Sequence, residues 1–329
     1  MELKGTGLQR ARRVQAWWLV LPTLAVLAAV AGWPLARTIF FSLTDAKLSA
    51  LGTQRFVGLD NYLGQRFGEG GVLFDPEWWA SVGNTLLFTV SSVLLETLLG
   101  LGIALLLNHP SRLRTLLRAA VLVPWAIPTV VSAKMWTWML HDQFGIINTA
   151  LVAAGLVSEP LAWTADPSLS FVTIVMVDVW KTTPFMALLT LAALQMVPRD
   201  CHEAAQIDGA SPWTIFTHIT LPLILPAMLV AIVFRGLDAL RVFDVIYVMT
   251  SNSRATRSMS VYVREQLIDF QKIGYGSAAA TLLFATIAVV TLAWLLATRS
   301  RGRGGRGGAH EGVARPRRPL LGRRPRHRR

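Results

Sequence analysis

A polar connection between two long apolar runs reads Pro198-Arg199-Asp200-Cys201-His202-Glu203-Ala204-Ala205-Gln206-Ile207-Asp208-Gly209 and, after nine further residues, Ile219-Thr220-Leu221-Pro222. Asp200 and Glu203 favour a helix here, because acids stabilise the positive end of the helix dipole, and the paired alanines extend it. Gly209 supplies a position without a side chain, where the chain can bend or another backbone can approach. Pro222 suits the first turn of the next helix, which needs no N–H there. The segment therefore predicts a short exposed helix between two apolar spans.

The composition of the chain is that of an integral membrane protein. Hydrophobic residues make up 53% of the 329 positions, and the mean hydropathy is +0.47. Several apolar runs reach about 20 residues, the length that crosses a bilayer. The formal charge of +13 comes mostly from residues 299–329, which hold 12 of the 32 basic side chains and one acid. A single cysteine excludes an internal disulfide.

Hydropathy and charge predict an all-α protein with six transmembrane helices. The expected spans are about 15–42, 82–107, 115–140, 171–196, 222–250 and 277–298. Basic residues before the first span, in the second connection and after the last span place these regions, and both termini, in the cytoplasm. The connection 251–276 argues against this orientation because it carries four bases. We interpret it as a folded outer segment, since it mixes polar and aromatic residues.

The sequence predicts a single permease domain between two terminal segments. Residues 1–13 are expected to be a cytoplasmic N-terminal segment, residues 14–298 the six-helix domain, and residues 299–329 a disordered Arg/Gly-rich tail. A cleaved signal peptide is the alternative for the first span, but its apolar run continues to Phe41. An RNA-binding segment is the alternative for the tail, but it lacks aromatic residues for base stacking. The tail is instead expected to contact anionic lipid headgroups.

Four further phrases complete the pattern: Phe56-Val57-Gly58-Leu59-Asp60-Asn61-Tyr62, Val123-Pro124-Trp125-Ala126-Ile127-Pro128, Asp178-Val179-Trp180-Lys181-Thr182-Thr183-Pro184 and Asp238-Ala239-Leu240-Arg241-Val242-Phe243-Asp244. Together with the segment at about 198–222, they resemble the carbohydrate permease subunits of ATP-binding-cassette (ABC) importers, of the trehalose/maltose type. The resemblance covers about 14–298, and the segment at 198–222 corresponds to the EAA coupling loop. An ordinary loop between membrane helices does not explain the fixed spacing. One departure is Ser251-Asn252-Ser253-Arg254, where such permeases often have Gly-Gly-Pro.

The resemblance implies the binding-protein-dependent type I ABC importer permease fold, in the bacterial cytoplasmic (inner) membrane. It also implies four kinds of partner. These are a second, related permease that forms a heterodimer with this chain, two cytoplasmic ATPases, a periplasmic or lipid-anchored solute-binding protein, and a carbohydrate. ATP and Mg would be bound by the ATPases, and no cofactor by this chain. The residues expected to couple it to the ATPases are Glu203, Ala204, Ala205, Asp208 and Gly209.

Charged residues inside the predicted spans are the strongest independent indication of a solute pathway. A lone charge at the bilayer centre costs at least about 2.5 kcal/mol, so each needs a partner or water. Arg235, Asp238, Arg241 and Asp244 alternate in sign at spacings of three, so neighbours can pair on one helix face. Asp178 and Lys181 repeat this spacing. The candidate pathway residues are Asp178, Trp180, Lys181, Asp238, Arg241 and Phe243. The alternative is that these pairs only hold helices together, and the two aromatics only pack.

The sequence contains no motif typical of an enzyme. No His or Cys spacing suits a zinc ion, and no G-x-x-x-x-G-K-[ST] loop is present to hold ATP. We therefore expect a transport subunit whose solute is a disaccharide such as trehalose or maltose. A permease for another solute, such as a glycerol phosphodiester, is the alternative within the class. An ion-coupled secondary transporter is the alternative from another class, but it leaves the EAA spacing unexplained and predicts inverted repeats.

Overall fold

The computed structural model describes residues 5–64, 70–110, 112–251 and 253–304, and these are helical apart from loops and one isolated bridge between Thr44 and Phe56. The longer helices are α1 Gly5–Leu27, α2 Trp33–Ser42, α3 Pro76–Asn108, α4 Arg114–Ala126, α5 Thr129–Met139, α6 Ile146–Ala153, α7 Pro167–Gln195, α8 Arg199–Ile207, α9 Leu221–Leu240, α10 Asp244–Thr250, α11 Met259–Arg264 and α12 Ile273–Gly304. Short helical turns occupy Leu48–Ala50, Asp60–Leu63, Val72–Phe74 and Pro212–Ile215, and π-helical turns occupy Ala28–Gly32, Phe216–Thr220 and Glu265–Asp269.

The chain divides into two compact units, Met1–Ala288 and Val289–Arg329. In its described part the second unit is the end of α12, which continues to Gly304. Residues 305–329, most of the predicted tail, lie outside the described residues, as do residues 1–4 of the predicted N-terminal segment.

Five helical stretches are long and apolar enough to span a membrane: Val14–Ser42, Pro76–Asn108, Pro167–Gln195, Pro212–Leu240 and Ile273–Leu296. A bent pair, α4 with α5, makes a sixth if it is counted as one span. The all-helical prediction with six spans is therefore confirmed on that count. The predicted ends are within about six residues of the observed ones, except that the fifth stretch starts about ten residues before the predicted 222 and that two spans are broken.

The third and fifth spans are not the continuous helices that the sequence predicts. Helices α4 and α5 meet at 92°, because Ile127 takes an extended conformation (φ −76°, ψ 133°) before Pro128, as residues preceding proline favour. The predicted span 222–250 breaks after Leu240, and α10 starts only at Asp244, with Phe243 at φ −137° and ψ −63°.

Helices α3 and α7 form the centre of the first unit, and they start in the same way. An aspartate caps each helix directly before a proline: Asp75 Oδ1 accepts from the Glu77 N–H at 2.8 Å, and Asp166 Oδ1 accepts from the Ser168 N–H at 2.7 Å. The Ser168 side chain and backbone also lower the pKa of Asp166, since their hydrogen bonds favour its charged form.

Helix α3 comes very close to α7 at Gly100. A Cβ built on Gly100 would lie 2.8 Å from the Met186 Cβ and 3.0 Å from the Ala187 nitrogen, closer than real Cβ atoms come to such neighbours. Gly102 lies two residues further along the same helix, and a Cβ built there would meet nothing within 4 Å. The absent side chain of Gly100 is what lets the two helices touch along their length.

The connection 253–276 is a folded segment, as the sequence predicts. The Arg257 guanidinium is buried and pairs with Glu77 and, at 2.8 Å, with Glu265. Asp75 accepts from the hydroxyl of Tyr262 and, at 3.1 Å, from that of Tyr275. Burial, assisted by the bond to Asp75, raises the pKa of Tyr262, so its hydroxyl stays a proton donor. The segment is thus joined to the start of α3.

We expect Gly100→Ala to destabilise the protein by about 1–3 kcal/mol, because its Cβ overpacks the contact with Met186 and Ala187. The matched control is Gly102→Ala, which adds the same methyl group into open space and gains helix propensity. Thermal unfolding of both purified variants in one detergent checks this. Equal melting temperatures for the two would contradict the assigned helix contact.

Candidate functional site: a buried charge cluster beside a polar cavity

A buried arginine joins three membrane helices. Arg235 on α9 is 3% exposed, and its guanidinium meets Glu96 of α3 with Nε to Oε2 at 2.6 Å and Nη2 to Oε1 at 2.9 Å. The same Nη2 donates to Asp178 Oδ2 of α7. The pairing with Glu96 is bidentate, the strongest arrangement for an arginine and a carboxylate. Each of the three helices therefore contributes one charge, and the single guanidinium of α9 pairs with the carboxylates of both α3 and α7.

Two hydroxyls complete the cluster. Ser92 Oγ lies 2.7 Å from Glu96 Oε1 and 2.6 Å from Asp178 Oδ2, so its single hydrogen serves one carboxylate at a time. Thr182 Oγ1 lies 2.5 Å from Glu96 Oε1 and 2.6 Å from the Asp178 carbonyl oxygen. Buried charges of this kind persist only when every lone pair and N–H finds a partner, and these groups provide them.

A polar cavity of about 300 Å³ adjoins the cluster. Arg235 Nη1 lies 3.4 Å from Asp238 Oδ2, and Arg241 Nη2 lies 3.3 Å from Asp238 Oδ1, so charges continue from the buried cluster into the cavity. Asp238 and Arg241 have 56% and 71% of their side chains exposed. The cavity is lined by Thr129, Asp178, Lys181, Thr182, Arg235, Asp238, Arg241, Val242, Phe243, Asp244 and Val245.

Five of the six predicted pathway residues line this cavity, and Trp180 does not. The Trp180 ring instead packs edge-on against Trp136, with centroids 5.4 Å apart. Phe243 lines the cavity and stacks on Tyr247 at 5.2 Å and 12°. Whether these residues contact solute remains the prediction made from the sequence.

Two predicted charge pairs are absent from the described contacts. Lys181 does not pair with Asp178, because Arg235 already holds that carboxylate; Lys181 Nζ donates to the Ile127 carbonyl at 2.9 Å. That carbonyl is available because the helix breaks before Pro128. Arg241 does not pair with Asp244, because α9 ends between them and the helical spacing is lost.

Glu96 shows what the sequence predicted and what it missed. Glu96 has no charged partner at helical spacing in its own span, so the sequence predicts that it faces the bundle interior and bonds Ser, Thr or a partner chain. In the structure it is bonded to Ser92 and Thr182. The sequence missed Arg235 as the main partner, because they are 139 positions apart. The only available signal was that Glu96 and Arg235 are opposite charges in different apolar spans, which does not identify the pair.

The predicted coupling residues form a short exposed helix and its end, as expected from the sequence. Glu203 and Ala204 are exposed on α8, whereas Ala205 is buried. Asp208 ends the helix, and Gly209 follows at φ +76°, a left-handed conformation that favours glycine. A Cβ on Gly209 would meet nothing of this chain within 4 Å. The surface here is open to a partner.

A bundle of apolar helices around a polar cavity, with an exposed helical loop, defines a membrane permease subunit. The family model for the binding-protein-dependent transport system inner membrane component matches residues 96–301, and the chain belongs to this family of ABC importer permeases. In the part of the chain that the structure describes, no group of His, Cys, Asp or Glu could hold a metal ion.

Curated relatives span nearly the same length. The chain is 42% identical over 285 residues to the trehalose/maltose transport system permease protein MalF of Thermococcus litoralis, covering 86% of this chain and 93% of the relative. It is 39% identical to the trehalose transport system permease protein SugA of Mycobacterium tuberculosis (88% and 90% covered) and 34% identical to the sulfoquinovosyl glycerol transport system permease protein SmoG of Agrobacterium fabrum (88% and 92%).

A solved structure shares the fold. It is a bacterial ABC transporter involved in the import of the acidic polysaccharide alginate, similar at a TM-score of 0.74 and 22% identity, with 89% of this chain and 99% of that chain covered. At this identity the similarity supports the fold.

We expect Arg235→Gln to destabilise the protein by about 3–5 kcal/mol, because it leaves the Glu96 and Asp178 carboxylates facing each other without a cation. Arg241→Gln is the matched control: it makes the same change six positions along at an exposed site, where about 0.5 kcal/mol or less is expected. Thermal unfolding in detergent measures both. Similar melting temperatures would show that the cluster does not hold the three helices together.

Proposed function

We propose that this chain is one permease subunit of an ABC importer that carries a neutral carbohydrate, of disaccharide size such as trehalose or maltose, into the cytoplasm. The observation that carries the proposal is the polar cavity beside Arg235, which has the residues a polyhydroxylated solute needs. Two relatives at 42% and 39% identity are named for trehalose/maltose and trehalose transport. The cavity and these names point to one class of solute.

The charges of the cavity favour a neutral solute over an anionic one. Its lining contains three acids and three bases: Asp178, Asp238, Asp244, Lys181, Arg235 and Arg241. The formal charges therefore balance, and sugar hydroxyls can both donate to the acids and accept from the bases. The exposed parts of Asp238 and Arg241 are the donors and acceptors nearest to an incoming solute. Phe243 offers a face for the apolar side of a sugar ring.

The balanced charge of the cavity also argues against the two anionic solutes that relatives and the sequence suggest. A sulfonated sugar, as the name of the SmoG relative implies, or a glycerol phosphodiester would need a surplus of positive charge in its site. The lining in this subunit has no such surplus. An anionic solute would have to be neutralised by the second permease alone.

The proposed driving force is ATP hydrolysis by two separate ATPase subunits that bind Mg and ATP. Helix α8 would sit against one of them, with Glu203, Ala204, Ala205, Asp208 and Gly209 at the contact. Closure of the ATPases would move α8 and, through the Phe216–Thr220 turn, the α9 helix that carries Arg235. A hydrogen bond between His202 Nε2 and Thr220 Oγ1, 3.0 Å long, connects α8 to this turn. With α8 cytoplasmic, both termini are cytoplasmic, and a second permease and a solute-binding protein complete the importer.

We expect Gly209→Glu to abolish uptake while the protein still reaches the membrane. Gly209 has open space in this chain, so a side chain there obstructs a partner surface rather than this fold. The matched control is Gly155→Glu, which puts the same side chain on another glycine of positive φ (+70°) with nothing within 4 Å. Both variants carry the same backbone strain, so only the coupling site differs. Membrane level and uptake in cells are the measurements.

Normal uptake by Gly209→Glu would remove this loop from coupling, and equal loss in Gly155→Glu would show that backbone strain is the cause. Uptake that persists without any ATPase, driven by an ion gradient, would favour a secondary transporter instead.

The solute is tested with the reconstituted importer and its partners. We expect labelled trehalose or maltose to enter, and an excess of unlabelled neutral disaccharide to compete. Sulfoquinovosyl glycerol and a glycerol phosphodiester should not compete, because the balanced cavity gives their anions no net attraction. Uptake of either anion in preference to the disaccharides would overturn the assignment of a neutral disaccharide.

The double variant Asp238→Asn/Arg241→Gln tests whether the cavity binds the solute. It removes both charges of an exposed pair, so folding and the ATPase activity stimulated by the binding protein should persist, whereas disaccharide uptake should fall at least about tenfold. Each single variant leaves one charge of the pair uncompensated, which allows additivity to be measured. Wild-type uptake by the double variant would leave Asp238 and Arg241 as structural residues only.

A further inference from the structure

A second cavity, of about 480 Å³, lies beside the coupling helix α8 and shares no lining residue with the first. It is bounded by the end of α3, the start of α4, the end of α7 and α8 itself. The lining residues that matter here are Arg114, Gln195, Arg199, Glu203 and Gln206. The proposed coupling to the ATPases does not require this cavity.

Two arginines of α4, of which Arg114 lines this cavity, are held side by side with unused donors. With its amide oriented by the neighbouring donors, the Gln195 oxygen accepts from Arg118 Nη2 at 2.9 Å and from Arg114 Nη2 at 3.1 Å. The Nε atoms of Arg114 and Arg118 are buried and have no hydrogen-bond partner. Gln195 therefore fixes two guanidinium groups side by side while part of each remains unsatisfied.

The charge of this site is positive. Among the described residues, the ion pairs do not include Arg114, Arg118 or Arg199. The lining holds two guanidinium groups, Arg114 and Arg199, against one carboxylate, Glu203. Gln195 adds a third guanidinium, that of Arg118, beside Arg114. Paired guanidinium groups favour phosphate, because their N–H groups match its oxygens in geometry and in charge.

Exposed leucines beside the arginines indicate where that phosphate comes from. Leu113, Leu116 and Leu117 have exposed fractions of 59%, 65% and 46%, and they flank Arg114 and Arg118 at the start of α4. Helix α4 is half of a candidate membrane span, so these leucines face acyl chains and the arginines beside them lie where lipid headgroups carry their phosphates. The arginines and leucines together match both parts of a phospholipid.

We propose that Arg114, Arg118 and Arg199 bind the phosphate of an anionic phospholipid, with its acyl chains along Leu113, Leu116 and Leu117. The lipid lies in the leaflet on the side of α8. Because the cavity is shared by α4, α7 and α8, the bound headgroup joins the coupling helix to two membrane helices. This inference does not depend on the identity of the transported solute.

Native mass spectrometry of the purified, delipidated chain tests the proposal by titration with phosphatidylglycerol and with phosphatidylcholine. We expect phosphatidylglycerol to bind at least about tenfold more tightly, and the variant Arg114→Gln/Arg118→Gln to lose roughly 10- to 30-fold in its affinity for it. The matched control is Arg112→Gln, which removes a neighbouring charge that neither lines the cavity nor donates to Gln195, and should leave the affinity nearly unchanged. The variant Arg114→Lys/Arg118→Lys keeps the charge without the planar fork, so its loss should be intermediate.

Four results would overturn the proposal. Equal binding of the two lipids, or an equal loss in Arg112→Gln, would show general attraction to the surface instead of a site. Displacement of phosphatidylglycerol by inorganic phosphate or glycerol 3-phosphate would make the ligand a soluble phosphate. Loss of a co-purifying partner subunit without any change in lipid affinity would make the arginines a protein contact.

Discussion

The burial of Arg235 between Glu96 and Asp178 is the constraint on which the rest of this bundle depends. None of the three charges can be buried alone, since an uncompensated charge inside a membrane costs several kcal/mol. They lie on three different helices, so α3, α7 and α9 must meet at one level and in one rotation to satisfy them. Gly100 then allows α3 and α7 to approach along their length. The three charges therefore constrain how α3, α7 and α9 are placed against one another, and the apolar contacts between these helices must be compatible with that placement.

The sequence predicted the class of fold and the position of most helices because those signals are local. Hydropathy locates a span, and the acids, alanines and glycine of α8 predict a short helix wherever it is placed. The charge pairs were predicted less well, because a spacing of three residues only shows which side chains can meet on one continuous helix. Asp178 had a nearer cation in sequence, Lys181, yet a cation 57 positions away holds it. Contacts between helices depend on how the spans pack, which local spacing does not contain.

The basic connection 251–276 is the one region whose charge argued against the predicted orientation. Arg257 and Arg264 bind acids, Glu77 at the start of α3 and Glu265 and Asp269 within the segment. These bases therefore have a structural use in ion pairs, and the orientation of the termini stays a prediction. The departure at Ser251 has a structural counterpart as well. Ser251 has φ +53° and ψ −130°, a conformation that glycine adopts without strain, and glycine is what the resembled permeases often have near this position.

The two helix breaks that the sequence missed are also what forms the polar cavity. The break before Pro128 frees the Ile127 carbonyl, which holds the Lys181 ammonium at the cavity. The break after Leu240 turns Phe243 and Asp244 into the cavity, beside the Asp238 and Arg241 pair. Irregular backbone at membrane depth is tolerated where it lines a cavity, and interrupted spans mark solute sites in other transporters. Straight helices would satisfy their own backbone and leave nothing to line a site. The helix breaks and the charged residues therefore contribute together to the cavity. The breaks, one of them before Pro128, leave the space between the helices, and Arg235 and Asp178 of the buried cluster line part of its wall.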